Sequence, residues 1–228
     1  MARDEALLLG DSPAALRLYN WAPHAVSLGY FQRLQDFDDV PPGTSIVRRL
    51  TGGGAIHHGE EVTFALALDA DLLPASVDAS YGLLHDAIVR AVASIGVLCT
   101  RLEHGPPPGA RPKDRWCFAV PGRHDIVDRN GRKLCGSAQR RLRTSRGPRV
   151  LHHGSLVIER PSLTPFVAAI VDMAPIPSLP ELRRRLAAEL AAALSMNLEP
   201  STLRSTEAEV AETLRRTRYE DQAFTATR

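Results

Sequence analysis

Lysine is almost absent from this sequence. Of the 28 basic side chains, only Lys113 and Lys133 are lysines, and all the others are arginines. Because lysine can lose its proton inside a protein and arginine cannot, each lysine is a candidate for a chemical role. Cysteine is also scarce: Cys99, Cys117 and Cys135 are odd in number and form no C-x-x-C pair, which argues against a disulfide framework or a zinc site.

Long apolar runs and a strong net charge are missing too. No apolar run approaches the roughly 18 residues that cross a bilayer, and the mixed charges of residues 1–5 do not resemble a signal peptide. The net charge of +2 is small, and no basic run carries interleaved aromatic residues. We therefore expect a cytoplasmic protein that binds neither membranes nor nucleic acid, folded as a single domain over residues 1–228.

The most unusual stretch is a run of three glycines, Gly52, Gly53 and Gly54, between two arginines and two histidines. Residues 45–47 before it and 62–66 after it are apolar and rich in β-branched side chains, which predicts strands. Three glycines at a strand exit would let bare backbone N–H groups approach a ligand closely. The alternative is a tight turn with no ligand.

Periodicity predicts the other elements. Apolar residues recur at helical spacing over 77–95, with Asp78 as a possible N-cap, and Asn130-Gly131 is a strong hairpin signal between strands at 124–127 and 132–139. A further strand is predicted at 150–158 and helices at 4–9, 163–173, 178–194 and 206–219. The proline-rich residues 105–112 are predicted to form a loop.

Cys117 follows that loop and is a candidate nucleophile. A free thiol ionises only near pH 8.5, roughly, so catalysis needs a nearby cation to favour the thiolate. The hairpin at Asn130-Gly131 would fold Lys133 back alongside Cys117, and such a pair could carry an acyl group as a thioester, with the ammonium stabilising the thiolate and later accepting or returning a proton. The alternative is that Cys117 is a small, partly buried apolar residue, as we expect for Cys99 and Cys135.

Two pairs of adjacent histidines could suggest a metal. Neighbouring side chains on a strand point to opposite faces, so we expect one inward imidazole from His57-His58 and one from His152-His153. Two imidazoles lining a ligand pocket are then a better interpretation than a metal site. Each could also be a hydrogen-bonded core histidine.

Three segments together resemble a known family. They are residues 48–57, residues 131–140 and residues 153–156, and in order and spacing they are similar to the signature segments of the lipoate/biotin protein ligase and octanoyltransferase superfamily. The resemblance implies an α+β fold with a mixed, mainly antiparallel sheet flanked by helices. Members usually begin with an additional strand, so we expect this sheet to lack it, and we expect no accessory C-terminal domain.

Within the superfamily, residues 117–121 resemble the cysteine loop of the monomeric lipoyl-pathway octanoyltransferases. That resemblance implies a monomeric acyltransferase without a cofactor, which moves an octanoyl or lipoyl group from acyl carrier protein through Cys117 to a lysine of a lipoyl domain or glycine-cleavage H protein. Lys133 would lower the pKa of the thiol. The substrate-binding residues implied are Arg49, Gly52, Gly53, Gly54, Ala55, His57, Gly136, Ser137, Ala138, His153 and Gly154, with no metal.

The alternatives belong to the same superfamily or to a different class. The Gly52–Ala55 run is closer to the loop of the ATP-dependent lipoate–protein ligases, which use ATP and magnesium, and a lipoyl-relay amidotransferase would use the same thioester chemistry. A non-catalytic protein that binds lipoyl domains is the remaining hypothesis.

Overall fold

A computed structural model describes residues 1–105 and 114–226. The helices are α1 (Ala2–Leu9), α2 (Val77–Ala93), α3 (Leu179–Ala193), α4 (Ser205–Leu214) and α5 (Gln222–Ala226). The strands are β1 (Ala14–Tyr19), β2 (Ala25–Leu28), β3 (Ser45–Arg48), β4 (Ile56–His58), β5 (Glu61–Asp69), β6 (Cys99–Arg101), β7 (Ile126–Asp128), β8 (Lys133–Thr144) and β9 (Gly147–Val157). Beyond residue 105, the predicted proline-rich loop and Lys113 lie outside the described residues.

Two sheets form the centre of the described structure. The larger one has the strand order β1-β5-β9-β8-β7-β6, and each neighbouring pair is antiparallel. In the smaller sheet, β2 lies between β3, to which it is parallel, and β4, to which it is antiparallel. Helices flank the larger sheet, and the predicted α+β fold with a mainly antiparallel sheet is confirmed.

Strand β5 shows why one face of the larger sheet is filled and the other leaves space. Val62, Phe64 and Leu66 alternate with small residues along the strand, and successive side chains point to opposite faces. The large side chains pack with residues of α2 and α3 in the main core. The small ones face the other side, where Ala65 and Ala67 pack against Leu7 and Leu8 of α1 and Thr63 lines a cleft.

The segment at 163–173 differs from the predicted helix. Only a 3-10 turn at Ile170–Asp172 forms there, and Ala169 before it is extended. The N–H of Ala168 donates instead to the carbonyl of Lys133 at 3.0 Å, and the N–H of Val171 donates to Ile158 at 3.2 Å. These bonds hold the run alongside the sheet, where Val167, Ala168, Ala169 and Ile170 are buried.

Two smaller expectations also change. Ser76, and not Asp78, is the N-cap of α2, and its hydroxyl accepts from the N–H of Ala79 at 2.9 Å. Asp78 lies in the first turn and contacts His124. The last predicted helix ends earlier, at Leu214, and continues as a π-helical turn, Arg215–Tyr219.

Candidate active site

The cysteine segment is held directly against the glycine run. The N–H of Ala55 donates to the carbonyl of Arg115, and the N–H of Cys117 donates to the carbonyl of Ala55, both at 2.8 Å. A Cβ atom added to Gly54 would lie 2.7 Å from the backbone nitrogen of Cys117 and 2.9 Å from the Arg115 oxygen. Glycine at position 54 therefore permits the close approach that brings Cys117 to the pocket.

Lys133, the first residue of β8, lies next to Cys117. Its Nζ is 3.4 Å from Cys117 Sγ, 3.2 Å from the Cys117 carbonyl oxygen and 2.7 Å from Asp125 Oδ2. The lysine is 3% exposed. Burial alone would lower the pKa of Lys133, but the Cys117 sulfur and the Asp125 carboxylate raise it above its ordinary value. The side chain is therefore held as an ammonium.

Glycine at position 136 makes room for this ammonium. A Cβ atom there would overlap Lys133 Cε and would lie 2.6 Å from Lys133 Nζ and 3.2 Å from Asp125 Oδ1. Any larger residue would displace the lysine from the sulfur, because these contacts are too short for two carbon atoms. Gly136 thus makes space for Lys133, which belongs to the same sequence motif, residues 131–140.

A cleft enclosing about 440 Å³, part of it open to solvent, extends from Cys117 between the two sheets. Its walls include eight of the predicted site residues besides Cys117: Arg49, Gly52, Gly53, Gly136, Ser137, Ala138, His153 and Gly154. Its surface is mainly apolar, which suits a hydrocarbon chain. Other lining residues were not predicted; they are Met1, Ser27, Ile56, His58, Thr63 and Ser155.

The remaining predicted residues lie elsewhere. Ala55 and His57 line a second, smaller cavity behind Ile56, and Gly54 backs the cysteine segment. His57 accepts a hydrogen bond from the N–H of Leu163 at 3.2 Å. His57 therefore lies outside the lining of the cleft that contains Cys117, and its neighbour His58 lines that cleft.

Adjacent histidines do point to opposite faces, but all four are buried, at 1–7% exposure. One imidazole of each pair, that of His58 and that of His153, lines the cleft, as expected from the alternation of side chains along a strand. His153 faces the pocket and its Nε2 lies 2.7 Å from the hydroxyl oxygen of Thr51. Burial lowers the pKa of His153 to about 4, so this imidazole is neutral.

Arg49 holds the glycine run in place. Its guanidinium is 3% exposed and donates to the carbonyls of Ser27 and Gly52, each at 3.0 Å, and to that of Gly54 at 2.6 Å. Burial lowers the pKa of Arg49 from its ordinary value. With its donors directed at backbone carbonyls, Arg49 shapes the pocket wall.

The Glu61 carboxylate contacts three polar side chains that close the inner part of the cleft. Glu61 Oε1 lies 2.7 Å from His58 Nδ1 and accepts from the hydroxyls of Ser155, at 2.8 Å, and Thr63. Behind these residues, Trp21 donates to the Thr63 hydroxyl at 2.9 Å and stacks on His58 with ring centroids 4.1 Å apart. These bonds fix the side chains that end the cleft.

Asp125 is the counterion of Lys133 in the candidate site, and our sequence analysis did not single it out. It follows a turn in which its Oδ2 accepts from the N–H of Gly122 at 2.7 Å. The available signal was indirect: a lysine buried beside a thiol needs a counterion, and Asp125 is the acidic residue at the start of the facing hairpin arm.

Two general findings complete the description. No helix within residues 1–105 and 114–226 has the length and apolar character that a membrane span requires. Over the same residues, no three His, Cys, Asp or Glu side chains are grouped so that they could hold a metal ion.

Sequence comparison gives one family and several relatives. The family model described as the lipoyl protein ligase A/B catalytic domain matches residues 1–197. Octanoyltransferase LipM of Kyrpidia tusciae is 32% identical over 249 residues, which cover 94% of this chain and 89% of that protein. The LipM octanoyltransferase of Symbiobacterium thermophilum is 31% identical over 252 residues, with 96% and 90% covered. That of Moorella thermoacetica is 38% identical over 169 residues, which cover 69% of this chain and 60% of that protein.

Structural comparison agrees on the fold. The putative lipoate protein ligase Ta0514 of T. acidophilum superposes with a TM-score of 0.79 at 22% identity, covering 99% of this chain and 92% of that one. A lipoate-protein ligase A structure bound with ATP gives a TM-score of 0.77 at 21% identity, with 99% and 92% covered. At these identities the likeness concerns the fold alone.

Proposed function

Because this chain belongs to the lipoyl protein ligase A/B catalytic domain family, a family that includes the LipM octanoyltransferases, we propose that it transfers an octanoyl group to a lipoyl-domain lysine through a thioester on Cys117. The observation that carries the proposal is the 3.4 Å contact between Cys117 Sγ and the buried Lys133 ammonium. A cation this close favours the thiolate, which is the nucleophilic form.

In the first step, the Cys117 thiolate attacks the carbonyl carbon of an octanoyl thioester on acyl carrier protein. A new carbon–sulfur bond forms to Cys117, the original one breaks, and the carrier leaves as a thiolate that takes a proton from solvent. Lys133 is protonated beside the thiolate, because Asp125 and the sulfur both raise its pKa, and Asp125 remains its counterion once the sulfur is acylated. Its contribution is electrostatic, and it does not act as a base.

In the second step, a neutral lysine amine of the acceptor domain attacks the same carbonyl carbon. The carbon–nitrogen bond forms, the carbon–sulfur bond to Cys117 breaks, and the surplus amine proton passes to solvent. The sulfur leaves as a thiolate beside Lys133, so the ammonium also stabilises the leaving group. The same contact thus assists both halves of the reaction.

The width of the three strands that line the cleft supports an acyl chain of about eight carbons. Gly136, Ser155 and Thr63 face one another across β8, β9 and β5, so this row spans two interstrand spacings, about 9.5 Å. An extended saturated chain advances about 1.25 Å per bond, so an octanoyl group is about 9 Å long. A carbonyl carbon near Gly136 would therefore place the terminal methyl over Thr63, in front of Trp21.

The test is intact-protein mass spectrometry with octanoyl carrier protein and a lipoyl domain, in the absence of ATP. We expect a stable octanoyl adduct on the protein alone and its transfer to the lipoyl domain when that domain is added. Cys117→Ser should abolish the adduct. Cys99→Ser is the matched control and should retain it, because burial raises the pKa of Cys99 to about 11 and keeps that thiol unreactive.

Two results would overturn the proposal. The first is an unmodified Cys117 in the presence of excess octanoyl carrier. The second is modification of the lipoyl domain only when free octanoate or lipoate and ATP are supplied, with release of pyrophosphate, because this outcome would establish an ATP-dependent ligase.

A further inference from the structure

A buried imidazole lies behind the active site and takes no part in the proposed reaction. His85, in α2, is completely buried. Its Nδ1 is 2.5 Å from the carbonyl oxygen of His124, and its Nε2 is 2.6 Å from the hydroxyl oxygen of Ser137. The ring therefore bridges two segments of the chain that both reach the active site.

The partners of His85 determine where its proton lies. A carbonyl oxygen can only accept, so Nδ1 carries the hydrogen and donates it to His124. Burial lowers the pKa of His85 to about 4, so the ring is neutral and its Nε2 has a free lone pair. The Ser137 hydroxyl must then donate to Nε2. The direction of both hydrogen bonds is therefore fixed, and the hydroxyl hydrogen of Ser137 points away from the pocket.

The first bridged segment is the turn that supplies Asp125. His124, directly before it, has a φ of 72°, a backbone conformation that is uncommon for a residue other than glycine. This conformation turns the chain so that the Asp125 carboxylate reaches Lys133 Nζ at 2.7 Å. The His124 ring is held by Asp78 at 2.7 Å, and its carbonyl is held by His85. The turn is thus anchored on α2 at two points.

The second bridged segment is the start of β8. Ser137 follows Gly136, the residue over which the Lys133 ammonium lies. Through one ring, His85 therefore links the backbone that presents the carboxylate to the strand that presents the ammonium. If the turn moves relative to β8, Asp125 and Lys133 separate and Lys133 loses the partner that holds it near Cys117.

We propose that His85 is a positioning residue, a neutral strut that fixes the Asp125 turn relative to β8 and thereby keeps the Lys133 ammonium against the Cys117 sulfur. This inference rests on the function proposed above. The turn is also held by backbone bonds between Leu102 and residues 124 and 125, and the bond from His85 to the His124 carbonyl adds a side-chain anchor directly before Asp125. The bond to Ser137 connects the His85 ring to β8.

The test measures the reactivity of Cys117 without any acyl donor, so it is separate from the test of the overall function. Iodoacetamide alkylation is followed by mass spectrometry at pH 7 and at pH 10. His85→Asn keeps an amide donor near the position of Nδ1, and His85→Gln places its amide near Nε2. His152→Asn is the matched control for the loss of a buried imidazole, since His152 bonds to Gln139 and not to the turn.

We expect His85→Gln to lower the ratio of the alkylation rate at pH 7 to the rate at pH 10 about tenfold, compared with the same ratio in the unmodified protein. His85→Asn and His152→Asn should stay within about threefold of the unmodified protein, as expected when the donor to His124 is kept or untouched. Equal effects of the Asn and Gln variants, or a loss of rate that is the same at both pH values, would overturn the proposal. An absent octanoyl adduct with the predicted alkylation pattern would instead count against the overall function alone.

Discussion

Replacing Lys133 by methionine removes the cation from the cysteine and keeps a similar apolar volume. At 3.4 Å, the attraction between an ammonium and a thiolate is about 5 kcal/mol at an effective dielectric constant of about 20, and about 1 kcal/mol in water. The Asp125 carboxylate, 2.7 Å from Nζ, offsets part of the larger figure. We therefore expect the thiolate population at pH 7 to fall by about ten- to a hundredfold in Lys133→Met.

The assay is the rate of Cys117 alkylation across pH, in a Cys99→Ser background that leaves Cys117 as the accessible thiol. Lys133→Met also leaves the Asp125 carboxylate buried without its partner, which would further disfavour the thiolate. The double variant Lys133→Met with Asp125→Asn separates the two effects, and it should recover part of the lost rate. An alkylation rate at pH 7 equal to that of the unmodified protein would refute the electrostatic role of Lys133.

Three other predictions concern the pocket, the glycine run and stability. Trp21→Ala should remove the side chain that backs Thr63 and His58 at the end of the cleft, and should shift the preferred acyl chain from eight carbons to ten or more, as measured by competition between carrier thioesters. An unchanged preference would argue against the length estimate. Gly54→Ala places a Cβ 2.7 Å from the Cys117 nitrogen, so the rate of octanoyl adduct formation should fall more than about tenfold while circular dichroism stays unchanged. His85 and His153 have pKa values of about 4, whereas the unfolded chain binds these protons near pH 6.5, roughly. The free energy of unfolding should therefore stay constant above that pH and decrease as the pH falls towards 4. The expected loss at pH 5 is about 2 kcal/mol per histidine. Urea unfolding at pH 7.5 and 5.0 measures this, and a flat profile would contradict it.

The sequence predicted the fold well because the decisive signals are local. Apolar, β-branched residues predicted a strand at 62–66, within β5, the strand predicted at 150–158 overlaps β9, and Asn130-Gly131 lies between β7 and β8 as expected of a hairpin turn. The same hairpin led us to expect Lys133 near Cys117, and the two side chains lie within 3.4 Å. Their catalytic role stays a prediction.

The parts that the sequence could not predict depend on contacts between distant segments. The apolar spacing at 163–173 resembles a helix, but hydrogen bonds to Lys133 and Ile158 draw this segment onto the sheet. Asp125 becomes important only because the turn before it directs its carboxylate at Lys133. Likewise, the choice of His58 over His57 as a pocket residue follows from which face of β4 meets the larger sheet, and no local pattern encodes that choice.

The most direct measurement isolates the octanoyl adduct on Cys117 and mixes it with a lipoyl domain in a rapid-quench instrument. If the thioester is the true intermediate, octanoyl should leave Cys117 and appear on the acceptor lysine with the same single rate constant, without ATP. An adduct that persists while the lipoyl domain becomes modified by another route, or that is lost only to water, would contradict the account.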